Sequence, residues 1–190
     1  MYQQSIRNSE EYQQLLRAAG GQAPSVALFG LPPAGRAQFA AALAADTGRS
    51  LLVMTADEAS ATRFAADAAQ FGAHSGVYPS RDLTLREVAG QNREYEYRRL
   101  KVLGDLAGGR IDVLCASIEG ALQYTCPKDE FCRNTLTLKP GMTLPLSQLT
   151  ERLTAAGYHR REQVEGAGQF SVRGGIVDIY APDMRQPARL

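Results

Sequence analysis

Apolar and polar residues follow two different rhythms along this chain. In the first stretch the rhythm is mostly helical. Tyr12, Leu15, Leu16 and Ala19 fall on one face of a helix that begins near Ser9 and stops at Gly20-Gly21. Residues 25–29, with a continuous apolar run from Val26 to Phe29, are expected as a short buried strand. An alanine-rich helix follows, with Phe39 and Leu43 inside. Residues 51–54 read as a second buried strand. Thr55 and Glu58 have capping-box spacing, and the helix they open carries Ala61, Phe64, Ala68 and Phe71 before Gly72 ends it. Residues 76–78 read as a third strand, and 79–82 as a loop beyond it. Residues 91–107 predict a long helix. Tyr95, Val102, Leu103 and Leu106 face inward, Glu94 and Arg98 pair along the outer side, and Gly108-Gly109 ends it. Residues 111–116 are a fourth strand, and Ser117 caps a short helix through Leu122. Strands alternating with helices predict a parallel sheet covered on both faces.

The rhythm changes near Cys126-Pro127. Residues 134–138 read as a strand, with a turn at Lys139-Pro140-Gly141. Residues 146–156 read as a helix stopped by Gly157, and 158–164 and 169–180 as further strands. The expectation is an α/β domain over 1–132, followed by a small α+β domain with an antiparallel sheet over 133–190.

The last of these stretches is the most informative. Phe170 and Val172 alternate with Ser171 and Arg173, and residues 176–180 are β-branched and aromatic around Asp178. Gly174-Gly175 interrupts them. A bulge there shifts the phase by one, so that Phe170, Val172, Val177 and Ile179 share the buried face while Arg173 and Asp178 share the other. A tight hairpin is the rival reading; the bulge is preferred because it keeps both charges off the core. Either way an arginine stands on a stiff sheet beside two residues without side chains, leaving room for a partner. Its plainer reading is a solvated arginine paired with Asp178.

Composition narrows the function. The 190 residues are 44% hydrophobic with a net charge of +1, enough apolar content for a core and too little charge to draw nucleic acid or membrane by field alone. No apolar run is long enough to span a bilayer, and no basic-then-apolar leader follows Met1, so the expected location is the cytoplasm. Cys115, Cys126 and Cys132 form no CxxC pair, and His74 and His159 lie far from them in sequence, so no metal site and reduced thiols are expected. The stretch 158–161 is a small basic patch, read as a solvated strand end. The chain reads as a piece cut from a longer polypeptide.

One motif is chemically suggestive. Gly30 and Gly35 have the spacing of GxxxxGK[ST], between a strand and a helix, where backbone N–H groups hold phosphates. The lysine and hydroxyl positions are Arg36 and Ala37. Arginine is not a compact point charge, and alanine has no oxygen for Mg²⁺. Pro32 and Pro33 remove two N–H donors. The strand at 111–116 ends in Ser117 and not in an acidic pair. The domain is therefore expected to be a degenerate P-loop scaffold without ATP hydrolysis and without a cofactor. Two histidines and no fixed carboxylate pair leave no other catalytic constellation.

Three blocks carry a family resemblance: Tyr78-Pro79-Ser80-Arg81-Asp82-Leu83-Thr84-Leu85, the run from Gly90 to Leu100, and the run from Gly168 to Ile179, in that order after the degenerate loop. Together they resemble the N-terminal module of the bacterial transcription-repair coupling factors, the Mfd family, a module similar to the excision-repair protein UvrB. UvrB itself is the nearby alternative, as a nucleotide-dependent DNA-repair helicase. It keeps an intact Lys-Thr phosphate loop and an aromatic hairpin that have no counterpart here. The resemblance implies a non-catalytic module that recruits UvrA to lesions where RNA polymerase has stalled. It implies UvrB domain 1a-like and domain 2-like parts, with Arg173 and Arg189 in the UvrA contact. It also implies, in the full-length protein, an ATP-driven motor, RNA polymerase and double-stranded DNA as partners, and a C-terminal domain that masks the UvrA-binding surface at rest.

Overall fold

The computed structural model describes residues 6–21, 25–81 and 94–190. The chain forms two compact units, Met1–Gln91 with Val102–Tyr124, and Asn92–Lys101 with Thr125–Leu190.

In the first unit, helix α1 (Glu10–Ala19) starts where Ser9 accepts a hydrogen bond from the Tyr12 N–H. Tyr12 is fully buried, edge-on to Phe39 of α2 (Pro33–Thr47), and its hydroxyl donates to Asp46 at 2.6 Å. Arg7 donates to the same carboxylate at 2.6–2.9 Å. The hydrogen bond from Arg7, chiefly, holds the Asp46 carboxyl below its ordinary range.

Three strands, β1 (Leu51–Thr55), β2 (Ser75–Tyr78) and β3 (Val113–Ser117), lie parallel in the order β1-β3-β2. The central strand β3 is buried at every residue. One face of the sheet, through Val113 and Cys115, meets Ala37 and Ala44 of α2 and Ala61, Ala65 and Ala68 of α3 (Glu58–Gln70). The other face, through Tyr78, Leu114 and Ala116, meets Val102, Leu103 and Leu106 of α4 (Glu94–Ala107). Burial in this low-dielectric centre pushes the Cys115 thiol up to about 11, so it behaves as an inert apolar group.

Three expectations fail here. Residues 25–29 form no strand: Val26, Leu28 and Phe29 are exposed, and β1, β3 and β2 close into a sheet without them. Strand β1 does form, but it is half-exposed, because among the described residues it pairs on one side only and Leu52 and Met54 point outward. The helix cap is Asp57 and not Thr55. Thr55 still belongs to β1, and the Asp57 carboxylate accepts from the Ser60 N–H at 2.7 Å. By contrast, Ser117 caps α5 (Ile118–Leu122) as expected, accepting from the Gly120 N–H at 3.0 Å. The expected loop at residue 82 and helical positions 91–93 lie outside the described residues.

The second unit opens with α6 (Lys128–Asn134) and α7 (Leu146–Ala155). A strand was expected from residue 134. Instead Asp129 and Glu130 in the first turn and Arg133 in the last favour helix up to that point, and no strand follows. Leu136 and Leu138 still reach the core. The turn at Lys139-Pro140-Gly141 is present, closed by the Met142 N–H onto the Lys139 carbonyl.

Four strands, β4 (His159–Arg160), β5 (Gln169–Arg173), β6 (Ile176–Tyr180) and β7 (Ala188–Arg189), lie in chain order. Leu149 and Leu153 of α7 cover Phe170, Val177 and Ile179. The sheet is mixed and not purely antiparallel. The β4–β5 pair is parallel because their connection runs back past Gly168 instead of turning tightly. The expected strand over 158–164 shrinks to two residues.

No described helix is long and apolar enough to cross a membrane.

Gly168 marks a close approach within this unit. Its φ is +77°, and a Cβ placed there would collide with the Tyr97 hydroxyl and ring carbon Cζ. Gly168→Ala is expected to lower unfolding stability by about 1–3 kcal/mol, from left-handed backbone strain and from displacing that ring. Denaturant unfolding of the variant against wild type measures it, with Gly166→Ala, which meets only the end of the Gln169 side chain, as the control.

Candidate functional site

The β5–β6 connection is a two-residue hairpin, not the bulge preferred from sequence. Arg173 pairs directly with Ile176, Val172 with Val177, Ser171 with Asp178 and Phe170 with Ile179. Gly174 adopts φ +61°, a conformation that glycine reaches without penalty. A two-residue turn keeps opposed residues on a common face, so the grouping expected from a bulge results anyway. Phe170, Val172, Val177 and Ile179 line the core, and Ser171, Arg173 and Asp178 share the opposite face.

Strand β7 adds Arg189 to that face, directly opposite Asp178. Asp178 thus stands between two arginines. Arg189 donates to it through Nε at 2.7 Å and Nη2 at 3.0 Å. Arg173 donates through Nη2 at 2.9 Å. The carboxylate lies low, with its side chain 13% exposed, while the two guanidiniums stand 60% and 66% exposed above it. Gln163, Val164 and Pro187 complete a shallow cleft of about 390 Å³ around the trio. Ser171, opposite Asp178, is buried, and its Oγ has no hydrogen-bond partner among the described residues. The hydrogen bonds from Arg189 and then Arg173 hold the Asp178 carboxyl down at about 2, and Asp178 in turn raises Arg189. One carboxylate against two guanidiniums leaves the surface with a net positive charge at every physiological pH.

The structure therefore brings Arg173 and Arg189 together. The sequence reading held the Arg173–Asp178 pair only as the plainer alternative, and it missed the part of Asp178 as a shared anchor. The signal was available: in a hairpin turning at Gly174-Gly175, Arg173 pairs with Ile176, and Asp178 two positions further is its diagonal neighbour on the same face.

The glycine loop lies in the first unit. Gly30 has φ +78°, and Pro32 occupies the N-cap of α2 with no side-chain cap. A Cβ on Gly35 would press against the Pro32 ring. Arg36 turns its Nε onto the Leu31 carbonyl at 3.1 Å, and Ala37 is fully buried against Val113 and its neighbours. At the carboxyl end of the parallel sheet, the Glu58 carboxylate accepts from the Ser80 N–H and hydroxyl, both at 2.9 Å. Gln123 exchanges two hydrogen bonds with the Arg81 backbone. These are loop-fixing contacts that the sequence reading did not find. His159 and Arg160 of the small basic patch form the short exposed strand β4.

With this geometry in view, comparison with known proteins shows what the chain resembles. Residues 136–190, the segment that carries the hairpin and both arginines, match the UvrB interaction domain. Across 187 residues, 97% of the chain, it is similar to the transcription-repair-coupling factors of Bacillus subtilis (26% identical), Staphylococcus haemolyticus (28%) and Staphylococcus aureus (27%). The resemblance to the UvrB-like N-terminal module of the Mfd factors thus holds over nearly the whole chain. The chain spans 16% of the length of those relatives.

The anchor has a pH signature. Its folded pKa, about 2, lies below the roughly 3.9 of an unfolded aspartate, so its stabilisation is complete above about pH 4 and is lost as pH falls toward 2. A carboxyl carbon titration by NMR is expected to place the Asp178 midpoint near 2 in wild type and to return it toward the ordinary aspartate value in Arg189→Ala.

Proposed function

We propose that this chain is a recruitment module of transcription-coupled nucleotide excision repair, docking UvrA through the second unit without catalysing a reaction itself. One observation carries the reading: two exposed guanidiniums, Arg173 and Arg189, flank Asp178 on one sheet face inside the segment that matches the UvrB interaction domain. An arginine already held on a rigid sheet loses little entropy when a carboxylate pairs with it, and arginines are frequent binding hot spots. The acceptors on UvrA are proposed to be acidic side chains.

The degenerate loop supports the non-catalytic part. In a working phosphate loop the two residues after the second glycine supply an ammonium to the phosphates and a hydroxyl to Mg²⁺. In this chain the first turns back on its own loop and the second is a buried methyl. RNA polymerase, double-stranded DNA and an ATP-driven motor are proposed as properties of the longer polypeptides of this kind, in domains other than these two units, with a C-terminal domain covering the UvrA face at rest. The boundary between the two functional parts is proposed near Arg133, and the cytoplasm is the proposed location.

Binding of purified UvrA to the chain, followed by calorimetry, tests the reading. Arg173→Ala is expected to cost about 2–5 kcal/mol of affinity if the partner carboxylate is left buried and unpaired. Unchanged binding in that variant would sink the assignment. A titration with labelled Mg·ATP is expected to show no saturable binding. Tight binding would favour a UvrB-like nucleotide-dependent enzyme instead.

A further inference from the structure

The trio on the hairpin face is asymmetric. Arg189 commits two nitrogens, Nε and Nη2, to the two oxygens of Asp178. That is a fork-to-fork contact, the geometry that fixes a guanidinium in plane as well as in position. Arg173 commits only Nη2. A guanidinium carries five N–H donors on three nitrogens, and Nε and Nη1 of Arg173 make no hydrogen bond among the described residues. The carboxylate sits beneath the two cations and is itself largely covered. It is set directly opposite Arg189 and diagonal to Arg173 by the strand register, so its place does not depend on the arginines.

We propose that Asp178 is the positioning residue of this docking surface, locking Arg189 as a strut and presenting the open edge of Arg173 to a carboxylate of the partner. The proposal rests on the reading of this face as the UvrA contact. The physical reason is entropic. A free arginine must be ordered when it binds, and Asp178 orders two of them beforehand. Arg173 then makes the first contact, and Arg189 acts largely through the geometry it shares with Asp178.

Simple electrostatics predicts the opposite behaviour on mutation. Asp178→Asn removes the only carboxylate among the three side chains and raises the cluster from +1 to +2. If charge alone drew an acidic partner, that variant would bind faster and more tightly. If Asp178 acts by positioning, the variant binds about tenfold more weakly, the scale of ordering two rotamer-rich side chains during association instead of before it. The loss then sits in dissociation, with association unchanged or faster.

The test measures association and dissociation rates of UvrA with the wild-type chain and with Asp178→Asn. Weaker binding through faster dissociation is expected. Equal or tighter affinity, or a loss confined to the association rate, overturns the proposal. A measurement on the wild-type chain alone guards against misfolding of the variant. The Arg189 Nε–H signal should exchange slowly with solvent and stay in place when UvrA is added, while the Arg173 Nε–H signal moves. Free-arginine exchange at Arg189 overturns the clamp. If wild type fails to bind UvrA, the recruitment reading falls and the positioning role falls with it, while the Arg189 signal still reports separately whether the clamp exists.

Discussion

The register of one hairpin governs the second unit. Gly174 and Gly175 make the shortest connection that lets β6 return alongside β5. Once that turn is set, every side chain on both strands is assigned a face. Phe170, Val172, Val177 and Ile179 go to the core under α7, while Ser171, Arg173, Ile176 and Asp178 share the other face. A slip of one residue would bury Arg173 and Asp178 and expose Phe170 and Ile179. The cost of burying unpaired charge makes that alternative prohibitive. The same register sets Asp178 diagonal to Arg173, and the separate pairing of β6 with β7 brings Arg189 opposite it.

The first unit rests on a different device. Its central strand is buried on both faces, and the fully buried helix residues that meet it on one side are alanines. Small side chains let helix backbones approach the sheet closely, and they leave little room for anything bulkier. Ala37 belongs to this layer. A threonine there would bring a hydroxyl into an apolar contact surface, where it would need a partner. What reads in sequence as a missing metal ligand is therefore, in the fold, a core position.

Much of this architecture is legible from periodicity. Helices with regularly spaced apolar residues, such as α1, α3 and α7, stand where the pattern puts them, because their signals are local. The failures share a cause. Whether residues 25–29 join the sheet depends on contacts with distant parts of the chain, and nothing within those five residues encodes that. Residues 128–134 lack a strong apolar stripe, and their helical signal is the charge pattern at the two ends. The parallel direction of β4 is a property of a long connection and not of two residues. In the site, Arg173 and Arg189 came from a family likeness, whereas Asp178 could have been placed by cross-strand geometry alone.

Strand β4 bears on solution behaviour. It forms one border of the second sheet, and it is only two residues long, His159 and Arg160, both exposed. A border that brief gives an approaching chain almost no ladder to copy, and a permanent cation on it repels its own kind. The unit can thus hold its opposite face open to another protein while resisting the edge-to-edge stacking that exposed sheets otherwise invite.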